Sequence, residues 1–572
     1  MKNHLFKKKN FLLLQGLEKL KVIDLSYSKV LTKMPKFSRM PKLEILNLEG
    51  CISLRKLHSS IGDVKMLTYL NLGGCEKLQS LPSSMKFESL EVLHLNGCRN
   101  FTNFPEVHEN MKHLKELYLQ KSAIEELPSS IGSLTSLEIL DLSECSNFKK
   151  FPEIHGNMKF LRELRLNGTG IKELPSSIGD LTSLEILDLS ECSNFEKFPG
   201  IHGNMKFLRE LHLNGTRIKE LPSSIGSLTS LEILNLSKCS KFEKFPDIFA
   251  NMEHLRKLYL SNSGIKELPS NIGNLKHLKE LSLDKTFIKE LPKSIWSLEA
   301  LQTLSLRGCS NFEKFPEIQR NMGSLLDLEI EETAITELPL SIGHLTRLNS
   351  LNLENCKNLR SLPSSICRLK SLKHLSLNRC SNLEAIPEIL EDMEHLRSLE
   401  LRGTAITGLP SSIEHLRSLQ WLKLINCYNL EALPNSIGNL TCLTTLVVRN
   451  CSKLHNLPDN LRSLQCCLTT LDLGGCNLME GGIPRDIWGL SSLEFLDVSE
   501  NHIRCIPIGI IQLLKLTTLR MNHCLMLEDI PDLPSSLRRI EAHGCRCLET
   551  LSSPIHVLWS SLLNCFKSLI QV

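Results

Sequence analysis

Residues 137–183 read LEILDLSECSNFKKFPEIHGNMKFLRELRLNGTGIKELPSSIGDLTS, and the same 47 residues return with small changes from Leu184 and again from Leu231. Each block divides into two copies of 23 or 24 residues. One runs LxxLxLxxC and then FPEI; the other runs LxxLxLxxT and then LPSSIG. Outward from this stretch the leading leucine recurs almost to both ends, from Leu20, Leu43 and Leu67 to Leu493, Leu516 and Leu537. So regular a period predicts a solenoid in which repeats stack end to end.

Within one copy, the two-residue period of a strand sends Leu140 and Leu142 to one face and Ile139 and Asp141 to the other. The leucine face becomes core. The ninth position then carries Cys, Thr, Ser or Asn, as in Cys145, Thr169, Ser122 and Asn501, small enough to turn inward and meet the backbone of the turn. Cysteine hydrogen-bonds poorly, so its use there implies that size and apolar packing dominate. Prolines at a fixed later place, including Pro82, Pro128, Pro175 and Pro222, suit a turning segment and not a ladder strand. The SSIG run after them is short and rich in Ser and Gly, which predicts one or two turns of helix or 3₁₀.

One copy buries about five or six apolar side chains at ~2 kcal/mol each, whereas ordering its backbone costs ~1–2 kcal/mol per residue. A lone repeat cannot fold, and stacking supplies the missing burial. The expected class is α/β: a horseshoe solenoid of about 23 repeats, with a parallel β-sheet lining a concave face on the order of 100 Å along the arc and short helical or 3₁₀ and turn segments on the convex face. The expected organisation is a lead-in over 1–16, one solenoid over 17–551 and a post-repeat segment over 552–572. Spacing loosens past Leu443, to 25 residues, then 23, then 21.

Charge is close to balance, with 67 Lys and Arg against 63 Asp and Glu, so no global field draws the chain to nucleic acid or a membrane. The apolar run Phe11 to Leu14 is too short for a signal-peptide core, and no stretch approaches the ~18 consecutive apolar residues of a membrane helix. Of 21 cysteines, 14 fall on the ninth position, and none has zinc-like spacing, so they are expected to be reduced structural thiols. There is no GxxxxGK[ST], HExxH, GxSxG or paired-glycine dinucleotide motif. Neither an enzyme, a cofactor nor a metal is expected.

The informative positions are the two outward strand sites, which the scaffold does not dictate. The central one reads Tyr118, Asp141, Arg165, Asp188, His212, Asn235, Tyr259, and its partner two residues earlier reads Glu116, Ile139, Glu163, Ile186, Glu210, Ile233, Lys257. Aromatic, cationic and apolar side chains on one surface are what protein-binding sites use. Candidate protein-contacting residues are therefore Tyr118, Asp141, Glu163, Arg165, Asp188, Glu210, His212, Lys257 and Tyr259, with Trp421 and Lys423 as a second patch. The competing reading has Asp141, Arg165 and Asp188 pairing across adjacent strands to keep the sheet soluble.

The run LEKLKVIDLSYSKVLTKMPKFSRMPKLEILNLEGCISLRKLHSSIGDVKMLTYLNLGGC, Leu17 to Cys75, resembles the opening of the leucine-rich-repeat region in plant intracellular immune receptors of the TIR-NB-ARC-LRR class. IPDLPSSLRRIEAHGCRCLETLSSP, Ile530 to Pro554, resembles their post-repeat segment, and LLNCFKS, Leu562 to Ser568, the entry to the domain that often follows. No residue matches the TIR or NB-ARC motifs, so the NADase activity and nucleotide binding of that class do not carry over. What the resemblance implies is recognition of a pathogen effector or guarded host protein, contact with an NB-ARC domain whose switch is held inactive, and a cytoplasmic or nuclear location. Two other readings stay open: a stand-alone repeat scaffold or adaptor, and an extracellular ectodomain suggested by sequons at Asn100, Asn167, Asn214 and Asn439.

Overall fold

A computed structural model describes residues 17–551 apart from 83–85, 108–110, 155–157, 201–204, 247–251 and 549. The lead-in over 1–16 and the segment 552–572, with its LLNCFKS motif, lie outside the described residues. The rest falls into two compact units that divide between Ser282 and Leu283.

Each copy of the LxL core forms one very short strand. In the first unit twelve of them follow one another from Val22–Asp24 to Glu280–Ser282, each three residues long. Every one lies parallel to the next in exact-residue register, as in Ile139↔Glu163, Leu140↔Leu164 and Asp141↔Arg165, then Glu163↔Ile186, Leu164↔Leu187 and Arg165↔Asp188. Parallel pairing follows from translation: identical units stacked along one axis point their strands the same way. The leucines on the core side, Leu140, Leu142, Leu164 and Leu166 among them, are wholly buried. The second unit continues the pattern from Thr303–Ser305 to Arg539–Glu541, with two longer strands at Trp421–Ile425 and Thr445–Arg449, and a small parallel pair Asp529–Ile530 with Thr550–Leu551.

The turn after each strand is left-handed at the eighth position, where Lys121, Glu144, Gly168, Glu191, Gly215 and Lys238 have φ between 57° and 75°. Its amide still serves the ladder: Lys121 N–H donates to Ser143 O at 2.9 Å and Glu144 N–H to Asn167 O at 2.6 Å. The ninth position then turns into the core. Thr169 Oγ1 donates to Leu166 O at 2.7 Å, and Cys192 Sγ, one repeat on, donates to the same carbonyl at 3.0 Å. Cysteine, expected to serve mainly by its size and apolar packing, also makes a hydrogen bond at every ladder position it occupies. All 14 ladder thiols lie 2.8–3.2 Å from a carbonyl of the preceding repeat. Burial pushes the Cys75 and Cys380 thiols up to about 12, so the proton each needs as a donor stays in place. Asn501 does the same work with a full amide, receiving Cys476 N–H and Leu478 N–H and donating to Leu473 O and Val498 O.

On the side away from the sheet, the SSIG copies form the expected 3₁₀ turns, such as Ser129–Ser133, Ser176–Asp180 and Ser223–Ser227. A proline at φ near −65° precedes each of these three, and its carbonyl receives the amide of the buried isoleucine three residues on, as Pro128 O does from Ile131 at 3.0 Å. No α-helix occurs among the described residues. The FPEI copies fill the same layer with bulk: Phe148 and Phe151 pack edge to face at 6.3 Å, and Phe195 with Phe198 and Phe242 with Phe245 repeat the contact.

Candidate functional site

The outward side of the strands separates the predicted residues into two classes. In the Cys-type copies that begin at Leu137, Leu184 and Leu231 the central outward residue is Asp or Asn, and its Oδ1 receives the amide two residues on. Ser143 N–H donates to Asp141 at 2.9 Å, Ser190 N–H to Asp188 at 2.8 Å and Ser237 N–H to Asn235 at 3.0 Å. This is an Asx turn closing the strand. Asp141, expected to be displayed, is only 5% exposed, because it also accepts from the Ser143 hydroxyl and the Gln120 amide. It leaves the displayed set. Nor does Arg165 pair with Asp141 or Asp188 across the strands, as the competing reading had it; its Nη2 donates to Glu163 in its own strand at 2.8 Å.

The alternate copies that begin at Leu114, Leu161, Leu208 and Leu255, of the Ser or Thr type, have no Asp or Asn there and present a large side chain steadied by a carboxylate. The Tyr118 hydroxyl donates to Glu116 at 2.9 Å, and His212 Nε2 lies 3.1 Å from Glu210. The Tyr259 hydroxyl donates to Glu280 at 2.6 Å, while Lys257 Nζ reaches the other oxygen of that carboxylate at 3.0 Å. Tyr118, Arg165, His212 and Tyr259 thus stand on alternate strands, about 10 Å apart. Burial, then the Glu116 carboxylate, pushes the Tyr118 phenol up to about 12; the same two causes raise Tyr259, with Glu280 as the carboxylate. The Tyr259 hydroxyl in turn holds Glu280 below the usual carboxylate range.

The second patch lies in the other unit. Trp421 is partly exposed at 38%, and Lys423 Nζ donates to Glu400 at 2.7 Å. Burial acts to raise the Glu400 carboxyl, but Lys423 and Asn378 outweigh it and hold the group low.

One feature escapes a reading by strand positions. The eighth position is glycine in three consecutive copies, Gly50, Gly74 and Gly97, with Gly73 beside the second. A cleft of about 590 Å³ lies over these glycines, bounded by Tyr27, Glu49, His94, Tyr118, Lys121 and Glu144. His94 stacks on Tyr118 with centroids 4.6 Å apart and planes 5° from parallel, and Tyr69 flanks it at 5.5 Å. The glycine run was readable in the sequence; that it opens a cleft depends on which neighbours stand beside it. Among the described residues no group of three His, Cys, Asp or Glu side chains could hold a metal ion, and no helix is long and apolar enough to cross a membrane.

Comparison with known proteins places this architecture. Residues 75–161, 153–245, 234–331 and 376–474, more than half of the chain, match the leucine-rich repeat region family. Residues 297–371 match the leucine-rich repeats of the RPS4B-like disease resistance proteins, and 467–490 a further leucine-rich repeat family. Among relatives, the disease resistance-like protein DSC1 of Arabidopsis thaliana is 41% identical over 88 residues, 15% of this chain and 7% of that protein. The disease resistance protein RPS4B of the same plant is 30% identical over 149 residues, 23% of this chain and 13% of the relative. The disease resistance protein RPV1 of Vitis rotundifolia is 57% identical over 51 residues, 9% and 4%. The chain therefore spans a small part of the relatives it matches. In fold it is similar to the crystal structure of a TDR receptor, with a TM-score of 0.54 and 22% identity over 95% of this chain and 92% of that one. The chain belongs to the leucine-rich repeat region family, and its repeats are similar to those of plant disease resistance proteins.

Proposed function

We propose that this chain is the non-enzymatic recognition and regulatory repeat domain of a plant innate immune receptor. Its sheet face binds a pathogen effector or a guarded host protein, and in the full receptor the domain restrains a nucleotide switch, in the cytoplasm or nucleus. The observation that carries this reading is the row Tyr118, Arg165, His212 and Tyr259, held outward on alternate strands by Glu116, Glu163, Glu210 and Glu280 while the strands between are closed by Asx turns. Large aromatic and guanidinium groups, pre-oriented and partly exposed, lose little freedom on binding and supply most of the energy of protein interfaces.

The test replaces Arg165, His212 and Tyr259 together with alanine in the full-length receptor and follows cell death on delivery of its effector into leaves. Protein level should hold, since exposed ion pairs contribute about 0–1 kcal/mol, while the response falls at least tenfold. An undiminished response at equal protein level would remove this face from recognition.

A further inference from the structure

The cleft over the glycines has a chemistry of its own. Its floor is backbone: a Cβ on Gly74 would stand 3.5 Å from Gly50 Cα and one on Gly97 3.5 Å from Gly74 Cα, ordinary contacts, so a side chain at either place would take up part of the trough. One wall is the His94 and Tyr118 stack. Burial holds the His94 imidazole below its usual range, so near neutral pH its ring carries no charge to repel a cation. At one end Lys121 lies 3.3 Å from Glu144, each satisfying the other's charge. At the opposite end Glu49 receives the Tyr27 hydroxyl at 2.8 Å, and no Lys or Arg of the described residues pairs with it. The cleft is thus an aromatic-walled site with one carboxylate left uncompensated, and its volume of about 590 Å³ suits a ligand subsite.

We propose that the trough over Gly50, Gly74 and Gly97 is a subsite for an arginine side chain from an extended segment of a partner protein, its guanidinium lying against the His94 and Tyr118 rings and paired with Glu49. The inference rests on the reading of the sheet face as a protein-recognition surface and names the chemistry of one part of it. A guanidinium is planar, stacks on rings and pairs with a carboxylate at the same time, which an ammonium does less well. The absent side chains let the main chain carrying it come close to the floor.

The test uses the whole chain and fluorescein-labelled nine-residue peptides of Gly and Ser with arginine at positions 3, 5 and 7, or citrulline at the same three, read by fluorescence anisotropy at physiological salt. The arginine peptide should bind saturably and the citrulline peptide at least tenfold more weakly. Gly74→Asn fills the trough and keeps the fold, because Asn426 and Asn450 stand at the same turn position with φ of 57° and 55°; it should weaken binding at least tenfold while the protein still unfolds in one cooperative transition, at a slightly lower temperature. Glu49→Gln should weaken it at least threefold, and Glu185→Gln, outside the cleft, should leave it unaltered. No saturable binding, equal binding of the citrulline peptide, full binding by Gly74→Asn, or an equal loss in Glu185→Gln would each overturn the subsite. None of these results bears on the alanine test of Arg165, His212 and Tyr259, so the two ideas fail separately.

Discussion

At the scale of single residues, the eighth position is where sequence and backbone disagree. Glu144 and Glu191 occupy left-handed turns at φ of 58° and 57°, a region that costs a residue with a Cβ about 1–2 kcal/mol. Gly168 and Gly215 fill the same turn in the alternate copies. Glu144→Gly should therefore raise stability by about 0.5–1 kcal/mol after the entropy of glycine is discounted, since the Lys121 pair it forfeits is exposed and weak. Urea denaturation measures this, and a loss would show that the Glu144 contacts outweigh the strain. The left-handed turn could not be read where Lys or Glu stands in it, because neither residue type signals positive φ. The ninth position was fully legible as an inward small residue. The bond from its thiols to the preceding repeat was not, since a thiol reveals itself as a donor only when the carbonyl of the neighbouring repeat is in place.

Among the elements, three-residue strands gain their definition from what closes them. Asp188 receives Ser190 N–H at 2.8 Å, and Asn235, two strands on, receives Ser237 N–H at 3.0 Å with an amide oxygen instead. Asp188→Asn should then be near neutral and Asp188→Ala should cost about 1 kcal/mol, the contribution of one such bond; equal costs in a denaturation series would deny the turn its role. The first copy adds a pH signature. The Ser26 amide holds the Asp24 carboxyl below its ordinary value, so its contribution is present above the unfolded pKa and is lost as pH falls through the lower folded one. The two-residue period correctly sends Tyr118 and Asp141 to one side of the sheet. It could not tell display from closure, because that depends on whether the amide two residues on is claimed by the side chain. The 3₁₀ turns were legible from Pro and SSIG, as their chemistry is local.

At the scale of the whole molecule, the two units distribute charge differently. In the second, Arg449 lies 3.6 Å from Asp472 and 3.5 Å from Asp497, two carboxylates in register on adjacent strands, and 3.4 Å from Glu500. Burial raises the Asp472 carboxyl despite that cation, so its folded pKa exceeds the unfolded one and this group favours folding increasingly as pH falls toward about 4. Arg449→Met should cost about 2 kcal/mol at pH 7, less than the ~3–5 kcal/mol for stripping a fully buried charge of its partner because Arg449 is partly exposed, and less again at pH 5. Equal loss at both values would assign the effect to packing. In the first unit the residues just ahead of the strands alternate in sign: Lys115, Glu138, Arg162, Glu185, Arg209, Glu232 and Arg256. Arg162 lies 2.8 Å from Glu185, and Glu232 stands between Arg209 at 3.9 Å and Arg256 at 3.8 Å. That alternation makes the 47-residue block the smallest unit whose gain or loss keeps opposite charges adjacent. Unequal exchange that inserts or deletes a whole block keeps opposite charges adjacent and adds or removes one displayed side chain, whereas exchange of a single copy sets like beside like. A gene built this way can lengthen or shorten its row of displayed side chains in steps that the fold accepts at once, and can change what it displays without relearning how to fold.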